Sequence, residues 1–158
     1  MTTAEAESKI GELAPDFTLI SQHGQEISLS NYQGKNNVIL FFVRAPSCWQ
    51  CRQHVEQLAQ MYPQLQAMDS EILALINTDH KQAQDYAAAL KAPFPILADS
   101  DYAIYERYGL NKVFLLNTRT ASVVIDKSGQ ITYLKSATNP FTWLKEAQEI
   151  LEQIKKLQ

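Results

Sequence analysis

No apolar run in this 158-residue chain approaches the ~20 residues needed to cross a membrane as a helix. The longest is 38–43. A basic excess is missing too: 14 Lys and Arg against 17 Asp and Glu leave a formal charge of −3. The chain therefore has no electrostatic footprint for nucleic acid. The first ten residues lack a basic start followed by an apolar core, so they are not read as a secretory signal. Cysteine is scarce: there are two, Cys48 and Cys51. Two cysteines do not make a disulfide framework. In a reducing, cytoplasmic setting such a pair is catalytic, redox-sensing or metal-binding.

What is present is ordinary globular usage, with 46% apolar and 20% charged residues. The length suits one domain, and such a chain buries roughly 70% of its unfolded surface without help from metal or disulfide. Residues 1–9 are small and charged and read as a flexible leader, followed by one domain over 10–158.

Phe17–Ile20, a turn at Gly24 and Glu26–Ser30 read as a hairpin. Val38–Val43 is continuously apolar and β-rich, which suits a central strand covered on both faces. Ala45-Pro46-Ser47 breaks it, and Ser47 as N-cap predicts a helix from Cys48. Cys51, Val55, Leu58 and Tyr62 mark that helix's buried face at helical spacing. Glu71–Asn77 reads as a second buried strand, His80–Lys91 as an Ala-rich helix and Phe94–Ala98 as a short extended segment. Ser100 is placed to cap a helix over Asp101–Tyr108 that Gly109 ends. Val113–Leu116 is too short to assign. Ala121–Asp126, a turn at Lys127-Ser128-Gly129 and Gln130–Lys135 read as a second hairpin. Asn139 and Pro140 open a last helix with its apolar stripe at Phe141, Leu144, Ala147, Ile150, Leu151, Ile154 and Leu157. This order predicts a three-layer α/β/α domain with a mixed central sheet.

The chemistry-bearing feature is a buried strand feeding a helix whose first turn holds Cys48 and Cys51. Unpaired amides and the helix dipole favour thiolate there. Spacing i, i+3 brings the two side chains together, close enough for a disulfide after small adjustment. Cys48, at the helix start, is expected to be the exposed attacking thiolate. Cys51, on the apolar face, is expected to resolve it. Arg44 and Arg52 flank the pair. Three alternatives stand beside this one. The cysteines can be inert core. With His54 they can be three zinc ligands, although no fourth is evident. Haem attachment would need His where Arg52 stands. His23 and His80 read as solvated, and Trp49 as a partly exposed aromatic beside the sulfur. No cofactor and no metal is expected.

Gly11–Leu19, Gly24, Ile27–Lys35 and Val38–Phe42, continued by Phe94–Asp99, Tyr108-Gly109 and Ser122–Ile131, resemble the alkyl hydroperoxide reductase/thiol-specific antioxidant family, the peroxiredoxins and related redoxins. The resemblance spans about residues 10–135. It implies a thioredoxin-like core with an N-terminal β extension. It further implies an antioxidant peroxidase that takes small hydroperoxides, is recycled by thioredoxin or a similar dithiol, and works in a family where homodimers are common. In the family pattern a Pro and a Thr precede the peroxidatic Cys. One register makes Cys51 peroxidatic, with Cys48 at the Thr position and Arg44 at the Pro position. The other makes Cys48 peroxidatic, with Ala45 and Phe41 there. Ser47-Cys-Trp-Gln-Cys-Arg52 looks more like the redox motif of thioredoxin-like disulfide oxidoreductases. Thr120 stands where the thioredoxin fold usually has a cis-proline. Arg119 beside it can serve as a donor to peroxide or thiolate, or as a solvated loop residue. A redox sensor without turnover is the third reading.

Overall fold

The computed structural model describes residues 10–110, 120–137 and 143–158. The leader, the 113–116 segment, Arg119 and the Asn139-Pro140 helix start lie outside them. A short hairpin, β1 (Thr18–Ile20) and β2 (Glu26–Ser28), precedes a 3-10 turn over Leu29–Tyr32. Then follow β3 (Asn37–Val43), α1 (Trp49–Gln66), β4 (Ser70–Ile76), α2 (His80–Leu90), β5 (Ile96–Ala98), α3 (Ala103–Arg107), β6 (Thr120–Ile125), β7 (Ile131–Ala137) and α4 (Trp143–Lys156).

The main sheet has the order β5-β4-β3-β6-β7. β3 runs parallel to β4, and β4 to β5, while β6 and β7 are antiparallel to their neighbours. The sheet is mixed, as expected. All seven residues of β3 are buried, because both sheet faces are covered. Ile39, Phe41 and Val43 face one apolar cluster with α1, α2 and α4. Val38, Leu40 and Phe42 face a second with α3, Phe17, Ile27 and Leu29. This two-sided burial is why the strand reads as an unbroken apolar run rather than an alternating one. In α4, Ala147, Ile150, Leu151 and Ile154 are buried as their spacing predicts.

The third helix departs from expectation. Ser100 does not cap it. Buried Asp99 does, its Oδ2 accepting the amides of Ile104 and Tyr105 at 3.0 and 3.1 Å. A carboxylate satisfies two orphan amides at once, which a hydroxyl does less well. Burial raises the Asp99 pKa while those amides pull it down.

The parallel crossover brings the C-terminal ends of β3 and β4 to one sheet edge, where Val43 pairs with Ile76. Thr120 starts β6 at that same edge, one residue beyond the Phe42–Ala121 pair. Tyr105 holds the edge from the other face. Its hydroxyl donates to the Val43 carbonyl at 2.6 Å, with the Leu75 carbonyl at 2.8 Å. The ring is fully buried and stacks edge-on against Phe42 at 5.1 Å. Tyr105→Phe removes the donor and leaves buried carbonyls short of a partner. It is expected to cost about 2 kcal/mol in urea unfolding; an unchanged midpoint would show that the hydroxyl contributes nothing.

Candidate active site

The chain leaves β3 at Val43, turns through Arg44–Ser47 and enters α1. The Cys48 amide donates to the Ala45 carbonyl at 3.0 Å, which closes the turn. The helix begins one residue later than its sequence suggests, at Trp49, with Cys48 rather than Ser47 as the N-cap. The reason is local. The Cys48 sulfur accepts the Cys51 amide at 3.2 Å, doing the job a serine hydroxyl does at other caps. The Cys51 sulfur in turn accepts the Arg44 amide at 3.5 Å. Each sulfur therefore receives a backbone N–H at the positive end of a helix, an arrangement that stabilises thiolate.

Cys48 and Cys51 are joined by a disulfide, with Cα atoms 5.3 Å apart, inside the range such a bond needs. Cys51 is buried on the apolar face as expected, at 2% exposure, whereas Cys48, at 6%, is more sheltered than expected. The outward position of this turn belongs to Trp49, which is 61% exposed. Cys48 remains the outer of the two. Arg52 is not aimed at the sulfurs. Its Nε and Nη2 donate to the Pro46 carbonyl at 3.4 and 3.2 Å, and its guanidinium lies 5.5 Å over the Tyr86 ring, bracing the loop against α2. Thr120 is half-buried at the sheet edge that carries the loop. Arg119 lies outside the described residues. His23 and His80 are exposed.

One turn past Cys51, His54 is fully buried, its ring edge-on to Phe41 with centroids 4.5 Å apart. Its Nε2 lies 3.2 Å from Oε2 of buried Glu146, in the first turn of α4. Neither ring nitrogen makes a hydrogen bond among the described residues, which also hold no cluster of three metal-ligating side chains. Burial lowers the His54 pKa to about 3. Burial raises the Glu146 carboxyl to about 7, against the opposing pull of the Ser122 hydroxyl and Lys135. The sequence signal was present but weak: Glu146 lies on the Ile150–Ile154 line of an otherwise apolar stripe, and His54 follows Cys51 by three.

Residues 10–134 match the model of the AhpC/TSA family. The chain belongs to that family. Among its relatives, chloroplastic peroxiredoxin Q of Triticum aestivum is 26% identical over 148 residues, covering 93% of this chain and 67% of the relative. The thiol-disulfide oxidoreductase ResA of Geobacillus thermodenitrificans is 27% identical over 130 residues, covering 82% and 70%. The crystal structure of peroxidoxin BcpB from Mycobacterium tuberculosis superposes with a TM-score of 0.86 at 18% identity, covering 95% of this chain and 98% of that one. That likeness shows the thioredoxin-like fold. In this AhpC/TSA chain the two cysteines share a single helical turn.

The buried pair sets a pH signature on stability. Glu146 titrates near 4.5 when unfolded and near 7 when folded, so the folded chain binds the extra proton between them and stability falls as pH rises through that window. His54, near 6.5 unfolded and 3 folded, acts oppositely: stability rises with pH from 3 to 6.5. Glu146→Gln removes only the falling contribution. Its stability relative to the native chain, from urea titrations, is expected to rise by about 3 kcal/mol between pH 4.5 and 7. A difference that is flat with pH would contradict the shifted carboxyl.

Proposed function

We propose that this chain is a thiol-dependent peroxidase working through Cys48 and Cys51. The observation that carries the reading is a disulfide closed within the first turn of a helix, in a chain of the AhpC/TSA family, with a backbone amide on each sulfur. Cys48 is the attacking group, because its sulfur caps the helix and is the outer of the two. Its thiolate breaks the peroxide O–O bond, releasing an alcohol or water and becoming sulfenic acid. The Cys51 thiol then displaces the sulfenic oxygen as water, which forms the disulfide. A dithiol such as thioredoxin returns two electrons and two protons, itself becoming a disulfide. Thr120, at the sheet edge that carries the loop, and Arg119, its neighbour in sequence, are the side-chain candidates for holding the peroxide. The pair must be re-reduced in every cycle, which favours a cytoplasmic, reducing setting. Among the described residues no helix is long and apolar enough to cross a membrane.

A second reading, exchange with protein disulfides, is favoured by the Cys-Trp-Gln-Cys motif and by the likeness to ResA. Both are tested by following NADPH oxidation with a thioredoxin system and an organic hydroperoxide, then by insulin reduction. Peroxide turnover is expected; insulin reduction without it would replace the first reading by the second. Cys51→Ser is expected to consume one equivalent of peroxide and stop, whereas Cys48→Ser consumes none. The reverse result would assign the attack to Cys51.

A further inference from the structure

When the Cys48–Cys51 disulfide opens, the covalent link across the start of α1 is lost. Attack by Cys48 nonetheless requires it to stay at the cap, because there its sulfur accepts the Cys51 amide at 3.2 Å. A thiolate that leaves the cap loses that amide and the positive end of the helix, and its proton affinity returns toward the ordinary thiol range. The segment before it has few means of holding itself. Pro46 has no amide to donate, and Ser47 is exposed.

We propose that Arg52 is a positioning residue of the redox site, clipping Ser47 and Cys48 into the capping conformation in the reduced protein. The proposal rests on the reading of Cys48 as the attacking thiol. Arg52 holds this segment from both ends. Its backbone amide donates to the Cys48 carbonyl at 3.2 Å. Its side chain turns back past the helix start, where Nε and Nη2 donate to the Pro46 carbonyl at 3.4 and 3.2 Å. These bonds close a ring through Pro46, Ser47, Cys48 and Arg52 that contains no sulfur. The clip therefore remains when the disulfide does not.

The clip has its own anchor. The guanidinium lies 5.5 Å over the ring of Tyr86, which is 4% exposed and belongs to the same apolar cluster as Cys48 and Cys51. α2 thus fixes the plane of the fork, and the fork fixes the carbonyl. Arginine suits this task better than lysine. Two N–H groups of one rigid plane converge on a single oxygen while the same plane lies over the ring. The Arg52 side chain is exposed, so solvent and salt screen its charge. Placement of the loop, rather than a field at the sulfur, carries the effect.

The test uses Cys51→Ser as parent, which leaves Cys48 as the one thiol and keeps the backbone amide at 51. Ultraviolet thiolate absorbance is followed from pH 4 to 9, without peroxide. Cys48 in the parent is expected to titrate well below about 8.5, the ordinary thiol value. Adding Arg52→Ala is expected to raise that pKa by about one unit, the size of a partly lost helix-terminus interaction, and to do so at low and at molar salt alike. Arg52→Lys, which keeps the charge without the fork, is expected to behave like Arg52→Ala. A shift that disappears in molar salt, or that Arg52→Lys fully repairs, marks a bare charge effect and overturns the clip. A low parent value that Arg52→Ala leaves unchanged removes the clip alone. If Cys48 titrates as an ordinary thiol in the parent itself, the reading of Cys48 as the attacking thiol fails and the clip falls with it.

Discussion

The amides left unpaired where α1 begins are met by sulfur, and the site is organised around that fact. An ordinary N-cap spends a hydroxyl or carboxylate on this position and gains about 1 kcal/mol of helix stability. Here the cap is Cys48, and the amide it receives belongs to Cys51. The contact that starts the helix therefore also fixes the spacing of the two redox atoms. Capping, polarising and pairing the sulfurs are one arrangement, so none can be changed without disturbing the others.

That arrangement needs an anchored base. β3 supplies it by being buried on both faces, and Tyr105 reaches through from α3 to the last carbonyl of the strand. Arg52 holds the following loop by its Pro46 carbonyl and lies over Tyr86. The strand end, the turn and the first helical residues are thus held from three directions, while the large Trp49 side chain projects into solvent. Disulfide exchange needs two sulfurs within bonding reach and a reductant able to approach one of them. A fixed turn with one outer and one inner sulfur meets both needs without unwinding the helix.

Burial beneath the disulfide has an electrostatic consequence. His54 and Glu146 are held away from water at 3.2 Å, and desolvation drives their pKa values in opposite directions. An ion pair is disfavoured there because both charges would lose hydration. What remains is a neutral pair one turn from Cys51. The same low dielectric that makes a Cys51 thiolate costly raises the Glu146 carboxyl toward neutral pH.

The sequence determined the strand at 38–43, the helix carrying the two cysteines, the closing β6–β7 hairpin and the family. These rest on local causes: apolar runs, helical spacing, turn residues and ordered family motifs. It also marked Cys48 and Cys51 as the reactive pair from their place at a strand-to-helix junction. It misplaced the caps, choosing Ser47 and Ser100 over Cys48 and Asp99, because several polar side chains compete for a helix start and their final positions decide which one reaches the amides. It had no means of joining His54 to Glu146, which lie far apart in the sequence and meet only when α4 packs on α1. Local pattern is written in neighbouring residues, but desolvation belongs to groups that only tertiary packing brings together.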